Sequence, residues 1–406
     1  MTVDRVNTAR KVAEAAAAGV LDRTPEPGAP PTRVVAMGDP QTRFASFASV
    51  LDAHGLLAND GWLRREVGLV CVGDYFDYYA AHTHGPDELE QAGREGLLIL
   101  QWLAAHPPMQ VTMLLGNHDA ARVTELCDVD DESFAAARSL ALEAFASLPD
   151  ERRRLEASFA GRFPAIPTAE LARRDFSTFQ VAQRESIQHH LLAGRIQLAA
   201  VGRHRGLPLL LTHAGVTTRE LDLLGLAHHA SADEIALALN AWLAERVRRV
   251  RPIWIDGIAA PLDLGPLHVG GVSGQESGGL LSHRPANPER RQGARDTDRA
   301  WEFRPERPRR FHPHDLPPGL VQACGHTRAP SSARELSPWV TEEASVARSG
   351  ELRSLRVRDR RIRYDSGVIA VEPGDSVLFL LDADLDRAHP EDVALLEVGP
   401  VERCIV

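Results

Sequence analysis

A layered α/β fold is the architecture this sequence predicts. Short apolar runs of strand length recur at Arg33–Met37, Val67–Val72, Gln110–Leu115, Leu207–Leu211 and Leu320–Cys324. Between the first three, apolar residues repeat at helical spacing. Each run leads into a cluster of acid, amide or imidazole side chains: Gly38-Asp39-Pro40-Gln41, Gly73-Asp74-Tyr75-Phe76-Asp77, Gly116-Asn117-His118-Asp119, Thr212-His213-Ala214-Gly215 and Gly325-His326-Thr327. Ligands bind at the carboxyl ends of strands in such folds, because loops and helix N-termini converge there.

Along the chain, residues 3–20 read as a helix with Val6, Ala13, Ala17 and Val20 on one face. Pro25, Pro27, Gly28, Pro30 and Pro31 then break the chain, so 1–31 is expected as a helix plus linker and 32–406 as the main domain. Thr42 is a candidate cap for a helix carrying Phe44, Phe47, Val50 and Leu51. A second helix is expected over 87–106. The rhythm stops after Asp119, where a charged, helical stretch predicts an inserted cap over about 120–195. Ile196–Val201 and Leu207–Leu211 read as a hairpin pair. A second insertion is expected over about 225–318, with a helix at 233–249 and a Gly-, Pro- and Arg-rich stretch after it. The tail predicts strands at Arg361–Tyr364, Val368–Val371 and Ser376–Leu381.

With 406 residues, 44% of them hydrophobic, the chain can bury a sizeable core. No apolar run approaches the roughly 18 residues of a membrane span. The four cysteines, Cys71, Cys127, Cys324 and Cys404, show no paired spacing, which predicts a reduced, cytoplasmic protein. A formal charge of −10 argues against general affinity for nucleic acid or anionic membranes.

The clusters have a chemistry in common. Carboxylate, amide oxygen and imidazole are the donors that a pair of divalent ions needs, with one group bridging and others terminal. Asp74, a short anion in the middle of the order, is the natural bridge. Asp39 is a terminal ligand of one ion; Asn117, His213 and His326 are ligands of the other. His118 follows a ligand directly and should face substrate, where an imidazolium would protonate a leaving alkoxide. Asp77 is suited to orient it. Glycine before Asp39, Asp74, Asn117 and His326 would let the backbone turn sharply. One Gly-Asp after a strand is ordinarily a turn, and one buried histidine is ordinarily a core residue. The ordered set of five is not produced that way.

On these residues the chain resembles the calcineurin-like metallophosphoesterase superfamily, whose pattern is Asp-x-His, Gly-Asp-x-x-Asp, Gly-Asn-His-Asp/Glu, a lone His and Gly-His. It looks most like the bacterial phosphoprotein-phosphatase and diadenosine-tetraphosphatase branch, over about 33–371 without the insertions. Gly73-Asp74-Tyr75-Phe76-Asp77, Thr212-His213-Ala214-Gly215, Gly325-His326-Thr327 and Tyr364-Asp365-Ser366-Gly367 carry the likeness. The resemblance implies a four-layered αββα sandwich with two divalent ions at the sheet edge, commonly Mn, Fe, Zn or Ni, and the harder amide donor of Gln41 shifts the expectation toward Mn or Mg. The substrate it implies is a phosphorylated small molecule, nucleotide or phosphoprotein.

Three departures sharpen the expectation. Gln41 stands where the pattern has a metal-ligating histidine, so either its amide oxygen or water takes that place. No second histidine follows Gly325-His326-Thr327-Arg328. Tyr78 replaces the branch's phosphate-gripping arginine, for which Arg284, in Leu280-Leu281-Ser282-His283-Arg284-Pro285, and Arg122 are the candidate substitutes. The expected activity is hydrolysis of phosphomonoesters by attack of a hydroxide held between two metals, with His118 as general acid. A nucleotide or dinucleoside-polyphosphate hydrolase or a phosphodiesterase is the alternative. A non-catalytic metal-binding scaffold is the contrasting class.

Overall fold

The computed structural model describes residues 4–21, 29–289, 300–346, 348–399 and 401. Pro25, Pro27, Gly28 and Cys404 lie outside these. Two sheets stack face to face. The first runs Leu396–Glu397, Arg33–Met37, Val67–Cys71, Val111–Leu114 and Ile196–Gln197, parallel except at the first pair. The second runs Arg361–Ser366, Arg353–Arg358, Ser376–Leu380, Val321–Cys324, Leu207–Thr212 and Ala199–His204. In it Val321–Cys324 lies parallel to both of its neighbours.

Strand alternation builds the layers. Val34 and Ala36 join Val70, Val72 and Leu114 against Leu209, Leu211, Val321, Ala323, Val377 and Phe379 of the second sheet. Val35 and Met37, pointing the other way, pack with Leu69 and Cys71 against Phe44, Phe47, Leu100 and Trp102 of the helices Phe44–Ala53 and Pro86–Ala105. On the far side, the helix Ala232–Ile255 sets Ile235, Leu239 and Leu243 against Val201 and Leu210. The result is an α/β sandwich with helices outside both sheets. Among the described residues, no helix is long and apolar enough to cross a membrane.

The N-terminal helix Arg5–Ala17 lies on the body, with Ala9 and Ala13 fully buried and Val20, expected on its packed face, 65% exposed beyond its end. Arg10 reaches Glu95 through both terminal nitrogens (3.0 and 2.8 Å). Glu95 also accepts from Phe44 N–H (2.9 Å), an anion at a helix start. Thr42 does not cap that helix: Arg43 is its N-cap, and Thr42 Oγ1 has no partner among the described residues.

Two sequence expectations need correction here. The run Ile196–Val201 is split at Leu198, so Ile196–Gln197 belongs to the first sheet and Ala199–His204 to the second. Buried Asn240 accepts from Leu198 and Ala199 N–H (3.0 and 3.1 Å) and so holds the crossing point. Val368–Val371 is not a strand. The partner of Arg361–Ser366 is Arg353–Arg358, joined to it through Asp359 and Arg360, both at positive φ (47° and 63°). A two-residue hairpin turn requires that backbone, which Asn-Gly would have signalled and Asp-Arg does not.

His106 gives the fold a pH dependence. Its Nδ1 lies 2.8 Å from Trp102 O and its Nε2 accepts from Leu63 N–H at 3.1 Å, so the ring must stay neutral. Burial pushes its pKa down to about 3. The unfolded chain takes up the proton near 6.5, so this contribution is complete above that pH and is lost as pH falls toward 3. Between pH 6.5 and 5 the loss is about 2 kcal/mol. Urea unfolding at the two pH values should show a drop that shrinks by that amount in His106→Gln.

Candidate metal and phosphate site

The strand ends place Asp39, Gln41, Asp74, Asp77, Asn117, His118, Arg284 and His326 on one cleft of about 620 Å³, with His213 beneath it. The turns that present them are tight. Asp74, Asp77 and His326 have positive φ (60°, 68° and 64°), a conformation that non-glycine residues adopt only when their surroundings hold it. Asp119 is the clamp. Its Oδ2 accepts from Asp74 N–H (2.8 Å) and Gly116 N–H (2.9 Å), and its Oδ1 from Tyr75 N–H (3.0 Å). The second and third clusters are thereby tied together through a carboxylate to which the sequence reading gave no role.

The glycines serve two different ends. Gly73 has the positive φ (102°) that a sharp turn needs. Gly325 is required for space: a Cβ there would lie 1.9 Å from Asp39 Oδ1. Both Asp39 oxygens sit at hydrogen-bond distance from His326 N–H (2.9 and 3.0 Å), which ties the first cluster to the last.

Ligand atoms of Asp74, His213 and His326 all lie within 4.8 Å of one another. His213 Nδ1 is 2.8 Å from Val72 O, an atom that only accepts, so Nδ1 carries the proton and Nε2 a lone pair. That lone pair faces Asn117 Oδ1 at 3.0 Å and Asp74 Oδ2 at 3.5 Å. His326 Nε2 is buried with no hydrogen-bond partner among the described residues. Burial lowers both imidazoles, His213 to about 4 and His326 well below its ordinary value, so a proton does not relieve the convergence. Burial, followed by the charges of Asp382 and Asp74, holds Asp39 well above the ordinary carboxylate range. Lone pairs and excess negative charge converging in a buried space suit a bound divalent cation.

Beside this cluster, His118 Nδ1 lies 2.9 Å from Asp77 Oδ2. Asp77 is fixed on every side: Arg122 Nη1 reaches the same oxygen at 2.6 Å, and Thr178 donates its hydroxyl (2.6 Å) and backbone N–H (3.2 Å) to Oδ1. Burial works against charge on both partners. The Arg122 charge, with His118, still holds Asp77 down to about 2, and Asp74 and Asp77 raise His118 to about 9. A cation on Asp74 would remove part of the latter effect. Phe176 stands edge-on to His118, with ring centroids 6.0 Å apart.

Arg122, a candidate for phosphate binding, is not among the residues that line the cleft. It is completely buried, bonded to Asp77, to His118 O (2.8 Å) and to Gln183 Oε1 (3.1 and 3.0 Å), and lies over Phe76. These contacts take up four of its five N–H groups. Arg284 does line the cleft, and its Nε is buried without a partner among the described residues. Gln41 turns its amide oxygen to Arg328 (3.4 Å). The sequence reading missed Asp119, Thr178, Gln183 and the carboxylates Asp382 and Asp384, which hold Arg328 at 3.8 and 3.3 Å. The triplet Asp382, Asp384 and Asp386, placed just after the strand Ser376–Leu380, was the available signal.

The sequence matches no protein-family model and no curated protein. Among solved structures, a point mutant of a cold-active protein tyrosine phosphatase superposes over 83% of this chain and 80% of its own, with 16% identity and a TM-score of 0.31. A superposition this loose says nothing about function.

Proposed function

We propose that the protein is a metal-dependent phosphoesterase of the calcineurin-like superfamily, hydrolysing phosphomonoesters with His118 as general acid. The observation that carries this reading is the convergence of ligand atoms from Asp74, His213 and His326, with His326 Nε2 unpartnered among the described residues, next to the held His118–Asp77 pair. Asp74, Asn117, His213 and His326 would hold one ion, and Asp39 with Asp74 a second, with Mn the first candidate and Fe, Zn, Ni or Mg the others. Divalent ions bound there supply positive charge that polarises the phosphoryl group and lowers the pKa of water.

The chain's own residues do the rest. Arg284 offers its guanidinium to the phosphoryl oxygens from the cleft wall. His118 Nε2, directed by the Nδ1 bond to Asp77, gives its proton to the oxygen that leaves as the P–O bond breaks and water oxygen bonds to phosphorus. Phe176 and the helical segment over about 120–195 act as a cap that narrows water's access to this proton. The free, buried thiols Cys71, Cys127 and Cys324 suit a cytoplasmic setting.

A cleft of about 620 Å³ exceeds what a bare phosphate occupies, so a nucleotide or dinucleoside polyphosphate is the second reading. Metal-stripped protein should hydrolyse an aryl phosphate only when Mn is returned. Rates on aryl monoester, bis-aryl diester and diadenosine polyphosphate separate the substrate classes. Absence of turnover on all three with every one of the five ions would overturn the proposal.

A further inference from the structure

Gln41 is 8% exposed and sits in the wall of the cleft. Its Oε1 faces Arg328 Nη2 at 3.4 Å. A guanidinium only donates, so the atom opposite it must be the oxygen, and the orientation of the amide is fixed. Arg328 is itself anchored by Asp384 (3.3 Å) and by Asp382 (3.8 Å). The other end of the amide, Nε2, is buried and has no hydrogen-bond partner among the described residues. An amide NH₂ has no lone pair to offer a cation; it can only donate.

Arg284 Nε, on the same cleft, is a second buried donor without an acceptor. Two unmet donors beside a floor of carboxylates call for an acceptor that is itself held there by cations. A non-bridging phosphoryl oxygen has that character. We propose that Gln41 binds a phosphoryl oxygen of the substrate through Nε2 and is not a ligand of the metal. The inference rests on the phosphoesterase reading. It places the selectivity for phosphate partly on the residue that, by the sequence pattern, would have been a metal donor.

Binding of Mn and of inorganic phosphate at saturating Mn, both followed by calorimetry, tests this with no reference to turnover. In Gln41→Leu, phosphate affinity should fall about tenfold or more, while Mn affinity stays within about twofold of wild type. Gln41→Glu keeps the contact with Arg328 and replaces the donor with an acceptor, so phosphate should bind at least as weakly and Mn no less tightly. If Gln41→Leu does not fold, Gln41→Met, of matching length, takes its place. Weakened Mn binding in the leucine or methionine variant would overturn the inference, as would unchanged phosphate affinity, with the phosphoesterase reading left standing in both cases. Wild-type protein that binds neither Mn nor phosphate would overturn both.

Discussion

Turnover on an aryl phosphate falls about 10²–10⁴-fold in His118→Asn, while the bound metal is retained. The size follows from what the ring does and the retention from what it does not do. His118 Nδ1 is committed to Asp77, so only Nε2 is free to serve the reaction. That atom lies 3.9 Å from Asp74 Oδ2, beyond hydrogen-bond reach, so the ring is not needed to hold the Asp74 carboxylate. The backbone N–H of His118 does hold Asp74 Oδ1, at 2.9 Å, and asparagine preserves it. The loss should also depend on the leaving group. An alkyl ester, whose alkoxide needs the proton, should lose more than a nitrophenyl ester, whose phenolate leaves without it. Equal losses on both, or metal lost with the activity, would remove His118 from the role of acid.

What could be read in the sequence was local. Each cluster is a few residues long and follows its strand directly, so apolar runs and side-chain chemistry located them without knowledge of the fold. What could not be read depends on contacts across long stretches of chain. Thr178 and Gln183 reach Asp77 and Arg122 from the far end of the helical cap. The strand Arg353–Arg358 was hidden because Arg353, Arg356 and Arg358 interrupt its apolar pattern; Arg353 is nonetheless buried, paired with Glu351 and bonded to Ser366. The orientation of Gln41 is set by Arg328, held by carboxylates that follow a different strand. Composition carries no trace of such a chain of contacts.

The sequence offered Arg122 as a grip for substrate, and that reading and its buried contacts predict opposite results for Arg122→Met. A residue that grips substrate could be replaced with a rise in KM and little change in stability. The buried contacts predict the reverse order of effects. Removing the guanidinium leaves Asp77 with no cation except His118, in a site where neither Asp77 nor Arg122 has side-chain exposure. Stranding one member of a buried ion pair costs about 3–5 kcal/mol, and urea unfolding should show a loss of that size. Turnover should fall with it, because Asp77 then no longer directs His118 Nε2 at the leaving oxygen. Asp77→Asn in the Arg122→Met background removes the stranded charge and should recover part of the stability, whereas turnover should stay low because the amide cannot support a charged imidazole. A variant with unchanged stability and a raised KM alone would return Arg122 to the substrate side of the cleft, and the arrangement of cap, arginine and Asp77 would then have no part in holding the acid.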